Sequence, residues 1–135
     1  MLEGESRKVG DIVLPASLWH AIDGGTALEL CAPLERRVRV LIEDYLCAPE
    51  NRAELARALP FIEERLGPRR WKGALVALLE GAREAELVEV LLQRYYDPLY
   101  RHSETGRQYA ASFDSSDPRR AAEEIARWIE ARLSR

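Results

Sequence analysis

No apolar run in these 135 residues approaches the roughly 20 needed to cross a bilayer, so a helical membrane span is excluded. The first residues are acidic where a signal peptide would be basic and then apolar, and the expected location is the cytoplasm. Cysteine is scarce. Cys31 and Cys47 have neither metal-ligand spacing nor a nearby histidine, and both are expected to be small buried or half-buried thiols. Histidine is equally rare: His20 falls in a short helical stretch and His102 in a polar loop, neither in a catalytic arrangement. There is no Ser-His-Asp set and no phosphate loop of the G-x-x-x-x-G-K-[ST] type, which weakens the case for a free-standing nucleotide kinase. Lysine is nearly absent, with Lys8 and Lys72 alone among the 20 basic residues. The net charge of −3 argues against a surface that binds nucleic acid everywhere but leaves room for a local basic face. The arginine bias suits bidentate phosphate contacts, and it equally suits a GC-rich genome.

What is present is a chain of one-domain length, 47% hydrophobic and 32% charged, with enough apolar residues for a sizeable core. Leu2 to Glu5 reads as the end of a strand, and a glycine turn follows. Leu14-Pro15 opens a helix through Ile22, which Gly24-Gly25 is expected to stop by allowing positive φ. Thr26 to Ala32 reads as a strand buried on both faces, ended by Pro33. A helix over Leu34–Cys47 turns Leu34, Val38, Leu41, Ile42 and Tyr45 to one side. A second helix begins near Glu50, with a stripe of Leu55, Leu59, Ile62 and Leu66 that crosses Pro60, where a kink or a fresh start is expected. Further helices span Arg69–Leu79 and Arg83–Tyr95, and Asp97-Pro98 is expected to end this helical insert, leaving Arg101 to Arg107 as loop. Gln108 to Phe113 alternates as a strand. Asp117-Pro118 then caps a last helix bearing Ile125, Trp128, Ile129 and Leu133. The fold class is therefore helix-rich α/β, a partial parallel sheet of about three strands in a single domain over residues 1–135, with a helical insert over about 48–100.

Three clusters have residue types suited to chemistry. Glu3, Glu5, Ser6 and Arg7 follow a strand end, where an acid can hold Mg²⁺ or a water and an arginine can neutralise phosphate oxygens. The alternative is a charged strand end with no ligand. Arg36 and Arg37 lie just after a strand-to-helix junction and either face phosphate or form a solvated face; Glu35 with Arg39 has ordinary i,i+4 spacing. Tyr95-Tyr96-Asp97-Pro98-Leu99-Tyr100-Arg101 offers three aromatic rings beside an acid and a base. Such a group can stack on an unpaired base, or simply pack.

Several blocks, in order, resemble the tRNA 2-selenouridine synthase family. They are Leu2-Glu3-x-Glu5-Ser6-Arg7-x-Val9-Gly10 with Leu14-Pro15, then Ala32-Pro33-x-Glu35-x-Arg37-Val38 with Glu43-Asp44-Tyr45. Ile62-Glu63-Glu64-Arg65-Leu66-Gly67 and Tyr95-Tyr96-Asp97-Pro98-Leu99-Tyr100 follow. The resemblance covers nearly the whole chain and implies the C-terminal half of a P-loop NTPase-like domain. It implies an enzyme that joins a rhodanese-like domain to the P-loop domain and replaces sulfur by selenium at the wobble 2-thiouridine of tRNA, using selenophosphate. A geranylated intermediate made from geranyl diphosphate is also linked to the family.

The resemblance implies that Glu3, Glu5, Ser6, Arg7 and Arg37 serve phosphate or diphosphate, with Mg²⁺ near Glu3 or Glu5 in the complete enzyme. Tyr96, Asp97, Tyr100 and Arg101 would contact tRNA or the prenyl diphosphate. No nucleophile role passes to Cys31 or Cys47. The chain then reads as a fragment or split subunit, inactive alone, and a non-catalytic helical protein-interaction module is the alternative. A sheet without its phosphate-loop strand leaves an open edge. The expected consequence is pairing with the rhodanese/P-loop half, self-association across that edge, or detachment of the N-terminus.

Overall fold

The structure, a computed structural model, describes residues 7–9, 11–103, 106 and 108–134, so the strand expected at Leu2–Glu5 lies outside the described residues. The chain divides into two compact units, Met1–Cys31 with Gly106–Arg135, and Ala32–Thr105.

The first unit carries the strands. A short antiparallel hairpin, β1 (Lys8–Val9) and β2 (Ile12–Val13), sets Lys8 opposite Val13 and Val9 opposite Ile12. Helix α1 (Ala16–Asp23) follows Pro15, as expected. Its stop differs from the expectation: Gly24 has φ −79° and needs no left-handed conformation. The glycines matter there for close approach, since a Cβ at Gly24 or Gly25 would sit 3.2 or 3.1 Å from a carbonyl oxygen of the helix.

Strands β3 (Leu28–Cys31) and β4 (Ala111–Asp114) pair in parallel, Leu28 beside Ala111 through Cys31 beside Asp114. The ladder is extended at each end by the Ala110 N–H on Ala27 O (2.8 Å) and the Ser115 N–H on Cys31 O (2.7 Å). Helix α8 (Pro118–Leu133) returns against β4, with Ala121 and Ile125 buried and Trp128 meeting Phe113 edge-on at 6.3 Å. Asp117 caps it, its carboxylate accepting from the N–H groups of Arg119 (3.0 Å) and Arg120 (3.2 Å).

β3 is not buried on both faces. Leu30 is 55% exposed and Cys31 is exposed, so the faces of the sheet are not fully covered, and among the described residues β3 has only β4 beside it. The exposed thiol of Cys31, and that of Cys47, correct the expectation of buried or half-buried cysteines.

The second unit is helical. It comprises α2 (Leu34–Leu41), a π-helical turn over Ile42–Leu46, α3 (Pro49–Leu66), α4 (Pro68–Trp71) and α5 (Ala74–Glu80). Helix α6 (Glu84–Leu91), a second π turn over Leu92–Tyr96 and α7 (Asp97–Ser103) complete it. Helix α6 serves two cores at once. Leu87 and Leu91 pack with Leu59, Ile62, Leu75 and Leu79, while Val88 leads into a second cluster with Val38, Leu46 and Leu92. Leu59, Leu75 and Leu87 are wholly buried, each contributing about 2 kcal/mol of hydrophobic stabilisation.

Three local expectations change here, and the one at Pro60 is narrowed. Helix α3 runs through Pro60 without a fresh start; the stripe of Leu55, Leu59 and Ile62 anchors it on both sides of the proline. Residues 69–79 form two helices rather than one, separated at Gly73, whose φ of +74° breaks the run. The first π turn widens the helix by i→i+5 bonding, so Leu46 enters the core and Tyr45 stays 51% exposed.

Asp97-Pro98, lastly, does not end the insert. Asp97 is helical (φ −58°, ψ −40°), and α7 carries Arg101 and His102, read from sequence as loop, as helix. A proline ring clashes with the carbonyl of the turn before it, and the wider π turn leading into Pro98 relieves that clash.

Candidate functional site

The two π turns bring the aromatic residues of the second unit together. Tyr45 comes from the first turn, Tyr95 and Tyr96 from the second, and Tyr100 stands one helical turn beyond Tyr96 on α7. Tyr95 and Tyr96 meet edge-on with ring centroids 5.1 Å apart. Tyr95 is half-buried against the main core, whereas Tyr45, Tyr96, Leu99 and Tyr100 are each exposed. The result is an aromatic surface resting on a packed base. Such π insertions recur at functional sites, and here they have a geometric effect, turning tyrosines outward that an unbroken helix would bury.

Beside this surface Arg37 of α2 reaches Asp97 at the start of α7. Nη1 donates to Oδ2 at 3.0 Å and Nη2 to Oδ1 at 2.5 Å, a fork-to-fork pair between residues 60 positions apart. The Arg37 side chain is 37% exposed and that of Asp97 21%, so the pair is half-screened and its worth is mainly geometric. It fixes the residue that follows Tyr96 and precedes the α7 tyrosine. The hydrogen bonds to Asp97 raise the Arg37 pKa above the ordinary guanidinium value.

Burial raises the Tyr96 phenol above its ordinary value, with smaller contributions from Tyr95, Tyr100 and Tyr45. A raised folded value means that Tyr96 stabilises the fold fully below the ordinary tyrosine pKa of 10.0, and that this contribution is lost as pH rises through the higher folded value. In a spectrophotometric titration the chain, with its five tyrosines, is expected to show a late-ionising phenol. Tyr96→Phe removes that late step; an unchanged titration curve would show that another ring carries it.

The candidate residues named from sequence separate as follows. Glu3, Glu5 and Ser6 lie outside the described residues. Arg7 is on the first unit, where its Nε donates to Leu14 O at 3.0 Å and its own carbonyl accepts from the Leu14 N–H at 2.9 Å. Arg37, Tyr96, Asp97 and Tyr100 come together on the second unit, joining one residue assigned to phosphate with three assigned to RNA or substrate. Arg101 lies on α7. Glu35 and Arg39 do form the ordinary i,i+4 pair, at 3.2 Å. Tyr45 was missed as a member of the aromatic surface because a 3.6-residue period puts it in the core.

A profile describing the tRNA 2-selenouridine synthase AAA domain matches residues 1–135. This chain belongs to that family. A tRNA 2-selenouridine synthase of Cupriavidus pinatubonensis is 30% identical, covering 100% of this chain and 42% of its own length. Those of Hydrogenovibrio crunogenus (25%; 86% of this chain, 37% of its own length) and Pseudomonas fluorescens (31%; 74% and 34%) are also similar. The chain thus spans about two-fifths or less of the curated relatives it matches. No solved structure matches it.

Family membership places the Arg37–Asp97 pair and the tyrosines within an AAA domain of this kind. Among the described residues no group of three or more His, Cys, Asp or Glu is placed to hold a metal ion, and no helix is long and apolar enough to cross a membrane.

Proposed function

We propose that this chain supplies part of a tRNA-modifying selenotransferase that replaces sulfur by selenium at wobble 2-thiouridine using selenophosphate, and that it is inactive by itself. The observation that carries this reading is the family match over the whole chain, joined to a sequence without a phosphate loop. The open sheet of the first unit supports it. Parallel strands are normally covered on both faces and flanked by neighbours, whereas β3 has one partner strand among the described residues and leaves Leu30 exposed. A polypeptide carrying the phosphate loop and the rhodanese-like domain, covalently joined or separate, would complete it, and self-association across the edge is the competing outcome.

In this reading the exposed rings of Tyr45, Tyr96 and Tyr100 receive an unpaired base or the prenyl chain of geranyl diphosphate, held in place by the Arg37–Asp97 pair. Glu3, Glu5, Ser6 and Arg7 serve the phosphate side, where any Mg²⁺ would also belong, and Arg101 contacts the RNA. The helical segment 48–100 is the insert of one P-loop NTPase-like domain, acting in the cytoplasm.

The test is reconstitution. The chain is mixed with a polypeptide bearing the phosphate loop and rhodanese-like domain, and selenium incorporation into thiolated tRNA is measured with selenophosphate. Activity that needs both components is expected. No gain in activity, together with no binding of tRNA or geranyl diphosphate, overturns the reading in favour of a non-catalytic interaction module.

A further inference from the structure

At the corner where α3 ends and α4 begins, a solvent-open groove of about 640 Å³ is lined by Arg69, Arg70, Trp71 and Arg94. The local geometry follows from Gly67, whose φ of +115° turns the chain sharply between the two helices. Arg94 comes from the second π turn, so the groove joins residues distant in sequence within one packed unit.

Its charge is not cancelled locally. Of the two acids just before this corner, Glu63 turns inward and spends its carboxylate on the backbone N–H groups of Gly73, Leu75 and Val76, and the exposed Glu64 forms no ion pair with Arg69, Arg70 or Arg94 among the described residues. Among the described residues Arg69 and Arg94 have no hydrogen-bond or ion-pair partner, and other basic residues of the unit, such as Arg37, Arg39, Arg52 and Arg83, do. Arg70 lies over the Trp71 ring, 5.4 Å from its centroid, which holds the guanidinium plane and leaves its N–H edges for a ligand.

We infer that this groove binds phosphoryl oxygens of an RNA backbone, with Arg69 and Arg94 as phosphate contacts and Arg70, steadied by Trp71, as the third. Free diphosphate shares that chemistry. RNA is favoured because small ligands are normally enclosed, whereas this groove is open to solvent and sets three guanidinium groups beside the apolar Leu66, Pro68 and Trp71, an arrangement suited to a strand whose bases stack while its phosphates are held. The inference rests on the reading that RNA is the substrate, but it concerns a surface apart from the tyrosines and needs no selenium chemistry to test.

The experiment measures binding of a fluorescein-labelled single-stranded oligouridylate to the full chain by anisotropy, between about 50 and 200 mM salt. Arg69→Gln/Arg94→Gln is expected to weaken binding at least tenfold and to flatten the salt dependence by about 1.4 in log-log slope, the change for two lost phosphate contacts on a single strand. Arg57→Gln/Arg127→Gln removes the same charge from exposed arginines outside the groove and is expected to leave affinity within about twofold.

Equal losses in the two double variants would reduce the effect to net charge and overturn the site. Binding of inorganic diphosphate to the groove without binding of the oligouridylate would overturn the RNA assignment. A reconstituted enzyme that stays inactive while groove-dependent binding persists would sink the selenation reading alone. An active enzyme whose RNA affinity ignores Arg69 and Arg94 would sink the groove alone.

Discussion

Glu63→Ala is expected to destabilise the helical unit by about 3 kcal/mol and to lower the melting temperature by roughly 10 °C. Glu63 is 5% exposed, a charged residue buried beside an otherwise apolar core among the described residues. Its carboxylate accepts hydrogen bonds from Gly73 N (2.7 Å), Leu75 N (2.6 Å) and Val76 N (3.2 Å).

Those N–H groups open α5, a helix whose own cap residue, Gly73, has no side chain to offer them. Glu63 therefore caps a helix from a different helix, and its negative charge sits where the α5 dipole favours it. Truncation leaves these donors without acceptors beside Leu59, Leu75 and Leu79. Glu63→Gln keeps one acceptor oxygen but loses the charge and brings two N–H groups of its own against other donors, so a loss of about 1–2 kcal/mol is expected. Glu64→Ala, at the exposed neighbour, is expected to stay within about 0.5 kcal/mol. Thermal melts followed by circular dichroism check all of these. Equal small changes at Glu63 and Glu64 would show that α5 does not depend on this cap.

Glu63 also marks the limit of what the sequence discloses. Within a helix it resembles any surface glutamate, and the sign of its role is the missing cap before Ala74, a signal visible only once α5 is known to begin there. Features written by local chemistry were legible: Asp117-Pro118 as a cap, the stripe through Leu55, Leu59 and Ile62, and the parallel pairing that separated strands imply. The π turns were not. A period of 3.6 assigns Tyr45 inward and Leu46 outward, and one inserted residue per turn reverses both.

The same insertion defeated the rule that a residue before proline leaves the helix, because the rule assumes an ordinary α turn ahead of Pro98. Of the candidate site, each member was identifiable as a residue type in a block, and Arg37 and Asp97 were both singled out. Their pairing was hidden because helix propensity and amphipathic spacing describe neighbours a few residues apart, whereas this contact joins positions 60 apart.

That pairing leads to the second large effect. In the reconstituted enzyme Asp97→Asn is expected to reduce selenium incorporation about 100-fold while costing only about 1–2 kcal/mol of stability. The stability cost is modest because Arg37 is 37% exposed and remains solvated when its partner loses its charge. The activity cost is large because the pair orients the segment that carries Tyr96 and Tyr100, and a displacement of about 1 Å at a substrate-positioning group is enough for a loss of that size. Arg37→Lys keeps the charge but not the fork, so it is expected to act in the same direction by a smaller factor.

Exchanging the two residues, Arg37→Asp with Asp97→Arg, restores opposite charges and is expected to recover stability better than activity, because the long and short side chains then start from the wrong helices. The readout that separates positioning from mere folding is the split between kcat and KM for tRNA, measured well below the melting temperature. A positioning role moves these constants in protein that is still folded. Activity that falls only in proportion to the unfolded fraction would reduce the Arg37–Asp97 pair to a structural tie between α2 and α7.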